Sequence, residues 1–159
     1  MNAHNETPLH LAAQNGHAVG VELLLGKGAF IEARTKSYDT PLHLAAWSGH
    51  MSTVELLLAK GASIEAMGRC GLTPLHYAAL GGHAVVVALL LEKCAFIEAT
   101  TMDNRTPLHF AASQGHTTTV ELLLSRGASA KARNLRNEDP FYFAKWNGHN
   151  AIANLLQSS

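Results

Sequence analysis

Histidine is the residue of this 159-residue sequence that most invites a chemical role, because ten copies are present. Imidazole binds metal ions and exchanges protons near neutral pH, so the spacing of the histidines decides what chemistry to expect. Four of them follow Thr-Pro-Leu, five follow a glycine, and His4 lies outside both groups. The first group is His10, His43, His76 and His109, and the second is His17, His50, His83, His116 and His149.

Successive histidines within each group are 33 residues apart, which argues against a shared metal site. If each falls in its own structural unit, neighbouring histidines lie roughly 8–10 Å apart, the packing distance of helices. Zinc needs its nitrogen ligands at about 2 Å. We therefore predict that these histidines satisfy hydrogen bonds in the buried framework, and that the chain uses no metal or other cofactor.

The remaining nucleophiles and carboxylates form no recognisable catalytic arrangement. The sequence lacks the Gly-x-Ser-x-Gly, Gly-x-x-x-x-Gly-Lys-Ser/Thr and His-Glu-x-x-His motifs. Glu22, Glu55 and Glu121 recur at one register on the expected solvent side of helices and do not converge on a cleft. Cys70 and Cys94 have no Cys-x-x-Cys spacing, and we expect no disulfide between them. The sequence therefore predicts a protein that is not an enzyme.

Composition narrows the class of partner. Lys plus Arg equals Asp plus Glu at 12 each, so bulk attraction to nucleic acid or to an anionic membrane is not expected. The longest apolar run, Ala84 to Leu91, is too short to span a bilayer, and no signal-peptide pattern follows Met1. Two cysteines make no disulfide framework, which favours an intracellular location, either cytoplasmic or nuclear.

The histidines are positioned by an 11-residue string, Thr-Pro-Leu-His-x-Ala-Ala-x-x-Gly-His, that recurs along the chain. Its copies begin at Thr7, Thr40, Thr73, Thr106 and, in divergent form, Asp139. Thr or Asp caps a helix N-terminus, Pro fits the first helical position, and Gly ends the helix. A second helix and a turn follow. In the second unit we predict helices over roughly Pro41–Ser48 and Met51–Ala59, with Lys60 and Gly61 closing the second.

The period, the Thr-Pro-Leu-His-x-Ala string and the helix–turn–helix–turn order resemble the ankyrin repeat. The resemblance implies an all-α repeat solenoid, in which stacked helix-turn-helix units carry projecting β-turns. Within a single domain over residues 1–159, the expected repeats are 7–39, 40–72, 73–105, 106–138 and a C-terminal capping repeat at 139–159. The family's first helices and turns line a concave face that binds protein partners, and its second helices form the convex back.

One position in each turn is expected to have a positive φ, because Asn5, Gly71, Asn104 and Asn137 occupy it. Tyr38 stands at the same position. Tyrosine is a poor fit to the left-handed conformation, so we predict a strained or differently shaped turn around Tyr38.

Two sets of positions vary between units while the framework repeats: the dipeptide before Gly-His, and the turn. The resemblance places both sets on the ligand-contacting stripe, and several of these residues are of types enriched at binding hot spots. The predicted partner contacts are Lys36, Tyr38, Asp39, Trp47, Arg69, Leu72, Leu80, Met102, Arg105, Arg136 and Trp146. We expect that neither Trp47 nor Trp146 is needed for the packing between units. Tyr77 and Phe110 fit packing between units and partner contact equally well.

The leading hypothesis is a monomeric module that binds one protein partner on the concave face. An alternative is a scaffold, such as an engineered array of near-consensus repeats, with no ligand of its own. The first unit favours this alternative because it is almost indistinguishable from an interior one, whereas terminal repeats normally present a polar outer face. The same feature, or the apolar pair Val85 and Ala88, would permit self-association.

Overall fold

The computed structural model describes residues 4–158, which form ten α-helices and no strand. The all-α prediction is therefore confirmed. The helices are α1 (Pro8–Gln14), α2 (Ala18–Gly26), α3 (Pro41–Trp47), α4 (Met51–Ala59), α5 (Pro74–Leu80), α6 (Ala84–Glu92), α7 (Pro107–Gln114), α8 (Thr117–Ser125), α9 (Pro140–Trp146) and α10 (Asn150–Gln157). Each step of the sequence repeat contributes one pair of helices.

The first helix of each pair begins at the cap that the sequence indicates. In α1, α3, α5 and α7, a threonine and the histidine three residues later form a reciprocal capping box. In α9, Asp139 Oδ1 accepts a hydrogen bond from the Tyr142 backbone N–H at 2.9 Å. The predicted helix Pro41–Ser48 is one residue shorter in the structure, and Met51–Ala59 agrees at both ends.

The core runs between helix pairs rather than lying at one centre. Ala45 and Ala46 on α3 are fully buried, as are Val54 and Leu57 on α4. The small alanine side chains let neighbouring first helices approach closely, and these helices pack more tightly on one another than the second helices do. Neighbouring units are therefore more closely spaced where their first helices meet. We call the side of the stack that carries the first helices and the turns the first-helix side.

The turns on the first-helix side are joined to one another by backbone hydrogen bonds. The Met102 N–H donates to the Cys70 carbonyl, and the Leu135 N–H donates to the Asp103 carbonyl, both at 3.0 Å. These bonds form a ladder from one unit to the next. The turn residues are thus held in a fixed order along the stack.

Tyr38 adopts the predicted left-handed conformation, with φ of 66°, close to the 60° of Asn104 at the same register. Its turn nevertheless closes like the turn at Asn104, with the Thr35 N–H donating to the Asp39 carbonyl at 3.0 Å. The turn that differs in shape is the next one. There, Cys70 has φ of 55° and a short 3₁₀ turn spans Arg69–Gly71.

Candidate protein-binding surface

The four Thr-Pro-Leu-His histidines are buried links between consecutive units. His76 Nδ1 accepts from the Thr73 backbone N–H at 3.1 Å, so Nε2 carries the proton and donates to the Arg105 carbonyl at 3.1 Å. His10, His43 and His109 repeat both contacts. Burial lowers the pKa of all four, to about 4 for His76, and outweighs the hydrogen bonds to carbonyls that raise it. These rings are neutral framework groups, as predicted.

Three of the five Gly-His histidines, His83, His116 and His149, also join units through hydrogen bonds. His83 Nε2 donates to the Trp47 carbonyl at 2.8 Å, and His116 Nε2 donates to the Leu80 carbonyl at 3.1 Å. The His83 ring lies so close to Gly49 that a Cβ there would overlap it. Among residues 4–158, no three His, Cys, Asp or Glu side chains are grouped to hold a metal ion.

Asp39 was expected to face a partner, but the structure buries it, with 7% of its surface exposed. Its Oδ1 accepts from the Tyr77 hydroxyl at 2.7 Å and from the Arg69 backbone N–H at 3.3 Å. A Cβ on Gly68 would overlap this oxygen. Burial and the bond to Asp39 raise the pKa of Tyr77. Asp39 Oδ1 thus takes the place of the backbone carbonyl that accepts from the Met102 and Leu135 N–H groups at the same register.

Arg105 and Phe143 occupy the positions of Asp39 and Tyr77 two units further on. The guanidinium carbon of Arg105 lies 4.6 Å from the centre of the Phe143 ring, a cation–π contact. Tyr77, Phe110 and Phe143 each set a ring against the histidine of the preceding unit, with centroids 5.3, 5.6 and 5.8 Å apart. The structure therefore places Tyr77 and Phe110 between units.

The two tryptophans are in different environments. Trp47 packs edge-to-face on Tyr77 of the next unit, with centroids 6.2 Å apart, and exposes 42% of its surface. Trp47 therefore contacts a neighbouring unit, although the sequence predicted that the packing between units does not need it. Trp146 exposes 77% and stacks on Tyr142 of its own helix. Of the two, Trp146 is the side chain available to a partner without loss of an inter-unit contact.

The other predicted contacts all lie on the first-helix side, but with different exposure. The exposed ones are Lys36, Tyr38, Arg69, Met102 and Arg136. The half-buried ones are Leu72, Leu80 and Arg105. Most of the predicted set therefore offers side chains to solvent on one side of the stack, and Asp39 does not.

Two grooves on this side bring predicted residues together with residues that sequence reasoning missed. The turn groove, of about 500 Å³, lies between the turn that contains Tyr38 and the turn that contains Gly71. Its lining includes Lys36, Tyr38, Arg69 and Met102, and also Met67. Met67 was missed because it lies just outside the positions that were compared between units. A methionine lining suits an adaptable apolar contact.

The C-terminal groove, of about 730 Å³, contains Arg136 and Trp146 together with Tyr142 and Lys145, which sequence reasoning missed. The sequence does contain a signal that distinguishes Tyr142 and Lys145. Tyr142 and Lys145 replace the histidine and the second alanine of the recurring string. Such departures from a repeated framework mark side chains that no longer serve the interface between units.

The opposite end of the stack also has a groove, which we call the N-terminal face. It measures about 740 Å³, and its lining includes Pro8, Leu24 and Ala29. Their counterparts in the second unit, Pro41, Leu57 and Ala62, are buried. Within the described residues, this face therefore exposes apolar surface that the equivalent residues of the second unit bury.

The helix pairs, the histidine links and the ladder of turns define a helical repeat solenoid. A family model described as "Ankyrin repeats (3 copies)" matches residues 1–68, 64–134 and 98–159. The chain therefore belongs to the ankyrin repeat family, whose members are generally protein–protein interaction modules rather than enzymes. No curated protein matches the chain. Within residues 4–158, no helix is long and apolar enough to cross a membrane.

Proposed function

We propose that this protein is a non-catalytic module that binds a protein partner on its first-helix side. The observation that carries this proposal is the row of exposed large side chains there: Tyr38, Met67, Met102 and Trp146 each expose at least 64% of their surface. They lie in or beside grooves flanked by arginine and lysine. Aromatic, methionine and arginine side chains are the types enriched at protein interfaces.

The rigidity of the scaffold favours high-affinity binding through these side chains. The histidine links and the ladder of turns fix the backbone around them, so little conformational entropy is lost when a partner binds. Each unit presents its own turn, and the partner would extend across several units. The contact residues we propose are the exposed and half-buried members of the predicted set, with Met67, Tyr142 and Lys145 added.

An interaction screen with matched variants tests this proposal. The double variant Met102→Ala and Trp146→Ala removes two exposed side chains from the first-helix side. It should retain the helicity and melting temperature of the parent and weaken partner binding by about 2 kcal/mol or more. Val19→Ala is the control, because Val19 on α2 is 84% exposed on the other side. Equal affinity for the parent and the double variant would remove this surface from the proposal. Recovery of no partner would favour the scaffold alternative.

Self-association through the N-terminal face is a second candidate, favoured by its apolar lining. Light scattering over a concentration series tests it, with Leu24→Lys as the variant that places a charge in the groove. A mass that stays monomeric at high concentration would exclude it. Val85 on α6 is 63% exposed, but Val19 at the same register is more exposed still, so Val85 and Ala88 do not stand out as an interface.

We also propose an intracellular location. Cys70 and Cys94 are both exposed and both free thiols. Free exposed thiols persist in reducing compartments. Labelling of both thiols in freshly prepared, unreduced protein tests this, and recovery of either cysteine in a mixed disulfide would contradict it.

A further inference from the structure

We propose that the C-terminal groove recognises an acidic segment of the partner, whose carboxylates pair with Arg136 and Lys145 above an aromatic floor formed by Tyr142 and Trp146. This inference rests on the proposed function and adds the chemistry of the partner. It follows from four observations: the charge balance inside the groove, the aromatic pair at its floor, the residues by which the last unit departs from the repeat, and the distribution of charge over the whole chain.

The acidic side chains of the groove are already engaged within the protein. Asp139 accepts the Tyr142 N–H through Oδ1, and its Oδ2 lies 3.4 Å from Arg133 Nη2. Glu138 Oε2 accepts from Asn134 Nδ2 at 2.8 Å. Asp139 is therefore paired with a cation of its own groove, and Glu138 is held by an amide of its own turn.

The basic side chains are not balanced in the same way. Arg133 is shared between Asp139 and the Asn137 carbonyl, which its Nη1 reaches at 2.6 Å. Arg136 and Lys145 are exposed and form no ion pair within residues 4–158. Three cations and two carboxylates therefore line the groove, which leaves it with a net positive charge, and Arg136 and Lys145 are the cations without a direct ion pair among the described residues. An arginine and a lysine that line the same groove suit carboxylates, which the guanidinium can bind in a bidentate manner.

The floor of the groove adds an apolar requirement. The Tyr142 and Trp146 rings stack at 6.1 Å with an interplanar angle of 17°, and both are exposed. A stacked aromatic pair offers a flat surface to an aromatic or aliphatic side chain next to the carboxylates. Covering that surface also displaces water, which strengthens the neighbouring charge pairs. The expected segment thus combines Asp or Glu with a large apolar residue.

The last unit differs from the others at the positions that create this groove. Tyr142 and Lys145 are exposed, whereas their counterparts His109 and Ala112 in the preceding unit are buried. At an exposed position of a terminal unit, an uncharged polar side chain would be sufficient to face water. The pattern instead places an aromatic ring and a cation within one groove.

The formal net charge of zero conceals an uneven distribution. The turns and first helices carry seven basic and five acidic residues. The second helices and the loops after them carry five basic and seven acidic residues. The basic residues of the first-helix side are Arg34, Lys36, Arg69, Arg105, Arg133, Arg136 and Lys145. One of the acidic residues there, Asp39, is buried. The surface that we propose for binding is therefore the positive side of the molecule, which steers an acidic partner toward it.

Selection from a library of random 12-residue peptides, displayed against the full chain, tests the inference. We expect the selected peptides to be enriched in Asp and Glu next to an aromatic or aliphatic residue. The dissociation constant of a synthetic selected peptide should rise at least about tenfold for the double variant Arg136→Glu and Lys145→Glu. Raising NaCl from 50 to 200 mM should weaken binding to the parent protein.

The matched control reverses two lysines on the other side of the molecule. Lys27 and Lys93 are exposed, form no ion pair within the described residues, and follow α2 and α6. The variant Lys27→Glu and Lys93→Glu changes the net charge by the same amount and should bind the peptide like the parent. An equal loss in both double variants would overturn the inference, because it would indicate a general charge effect. Circular dichroism of both variants verifies folding.

The outcomes separate this inference from the function on which it rests. Selected peptides that lose affinity on Trp146→Ala but show no acidic enrichment would overturn the inference alone. Peptides that bind independently of both Trp146 and Met102 would overturn the proposed surface as well. A single-stranded 20-nucleotide DNA that binds more tightly than the selected peptides would overturn the assignment to an acidic peptide.

Discussion

Each buried histidine joins two consecutive units through one ring, because Nδ1 accepts within its own unit and Nε2 donates to the next turn. For His43, these partners are the Thr40 N–H at 3.0 Å and the Leu72 carbonyl at 3.1 Å. A protonated ring would place N–H against N–H at Nδ1. The histidine must therefore stay neutral for the link to exist, which connects the stability of the stack to pH.

We predict that the free energy of unfolding falls by at least about 2 kcal/mol between pH 7 and pH 5. The folded pKa of His10, His43, His76 and His109 is lowered from 6.5, so below pH 6.5 the unfolded chain binds more protons than the folded one. The stabilisation is complete above that value and is lost as the pH falls, for His76 down to about pH 4. Urea titrations at both pH values measure it, and His109→Gln should flatten the dependence. Equal stability at pH 7 and pH 5 would contradict the prediction.

At the scale of the element, the glycines that end the two kinds of helix are under different constraints. Gly82, after a first helix, has φ of 74°, and a Cβ there would overlap the His116 ring of the next unit. Gly127, after a second helix, has φ of 90° and open space around it. Cys94 occupies the position of Gly127 one unit earlier, at φ of 67°, which shows that a side chain is tolerated there.

We therefore predict that Gly82→Ala destabilises the protein more than Gly127→Ala. The left-handed conformation costs each alanine about 1–2 kcal/mol relative to glycine. Gly82→Ala also displaces His116 from the Leu80 carbonyl, so its total cost should exceed that of Gly127→Ala by about 1 kcal/mol or more. Thermal unfolding of the two variants, with the parent as reference, provides the comparison. Equal melting temperatures would show that the His116 contact adds nothing.

Over the whole molecule, we expect the units to differ in stability, because each unit is stabilised only by contacts with its neighbours. Leu24 on α2 is half-buried, whereas its counterparts Leu57, Leu90 and Leu123 are fully buried. The first unit therefore has less apolar surface protected than an interior unit. Its helices should open more readily than those at the centre of the stack.

Hydrogen exchange tests this expectation. We predict that backbone amides of α1 and α2 exchange through openings of lower free energy than those of α5 and α6. The comparison between α2 and α6 is the most direct, because both are nine-residue second helices. Uniform protection along the chain would indicate that the stack unfolds only as a whole, or that another molecule covers the N-terminal face.

Much of the fold could be predicted from local signals, because the cap, the first-turn proline and the final glycine each act within one unit. The site was less predictable. Asp39 and Tyr77 are 38 residues apart. Their hydrogen bond forms only because the stacking of units brings a turn residue of one unit beside a first-helix residue of another. A comparison of the units identifies the positions that vary, yet cannot show which of them neighbouring units bury.

The sequence by itself determined the helices, their order and the structural role of the histidines, since these follow from spacings repeated within each unit. Only the tertiary structure decided that Asp39 is buried, that Trp47 packs on Tyr77, and that Lys145 meets Trp146 in one groove. The physical reason is that helix formation depends on nearby residues of the chain. The exposure and charge balance of a surface side chain depend on which residues the stacking of units brings beside it.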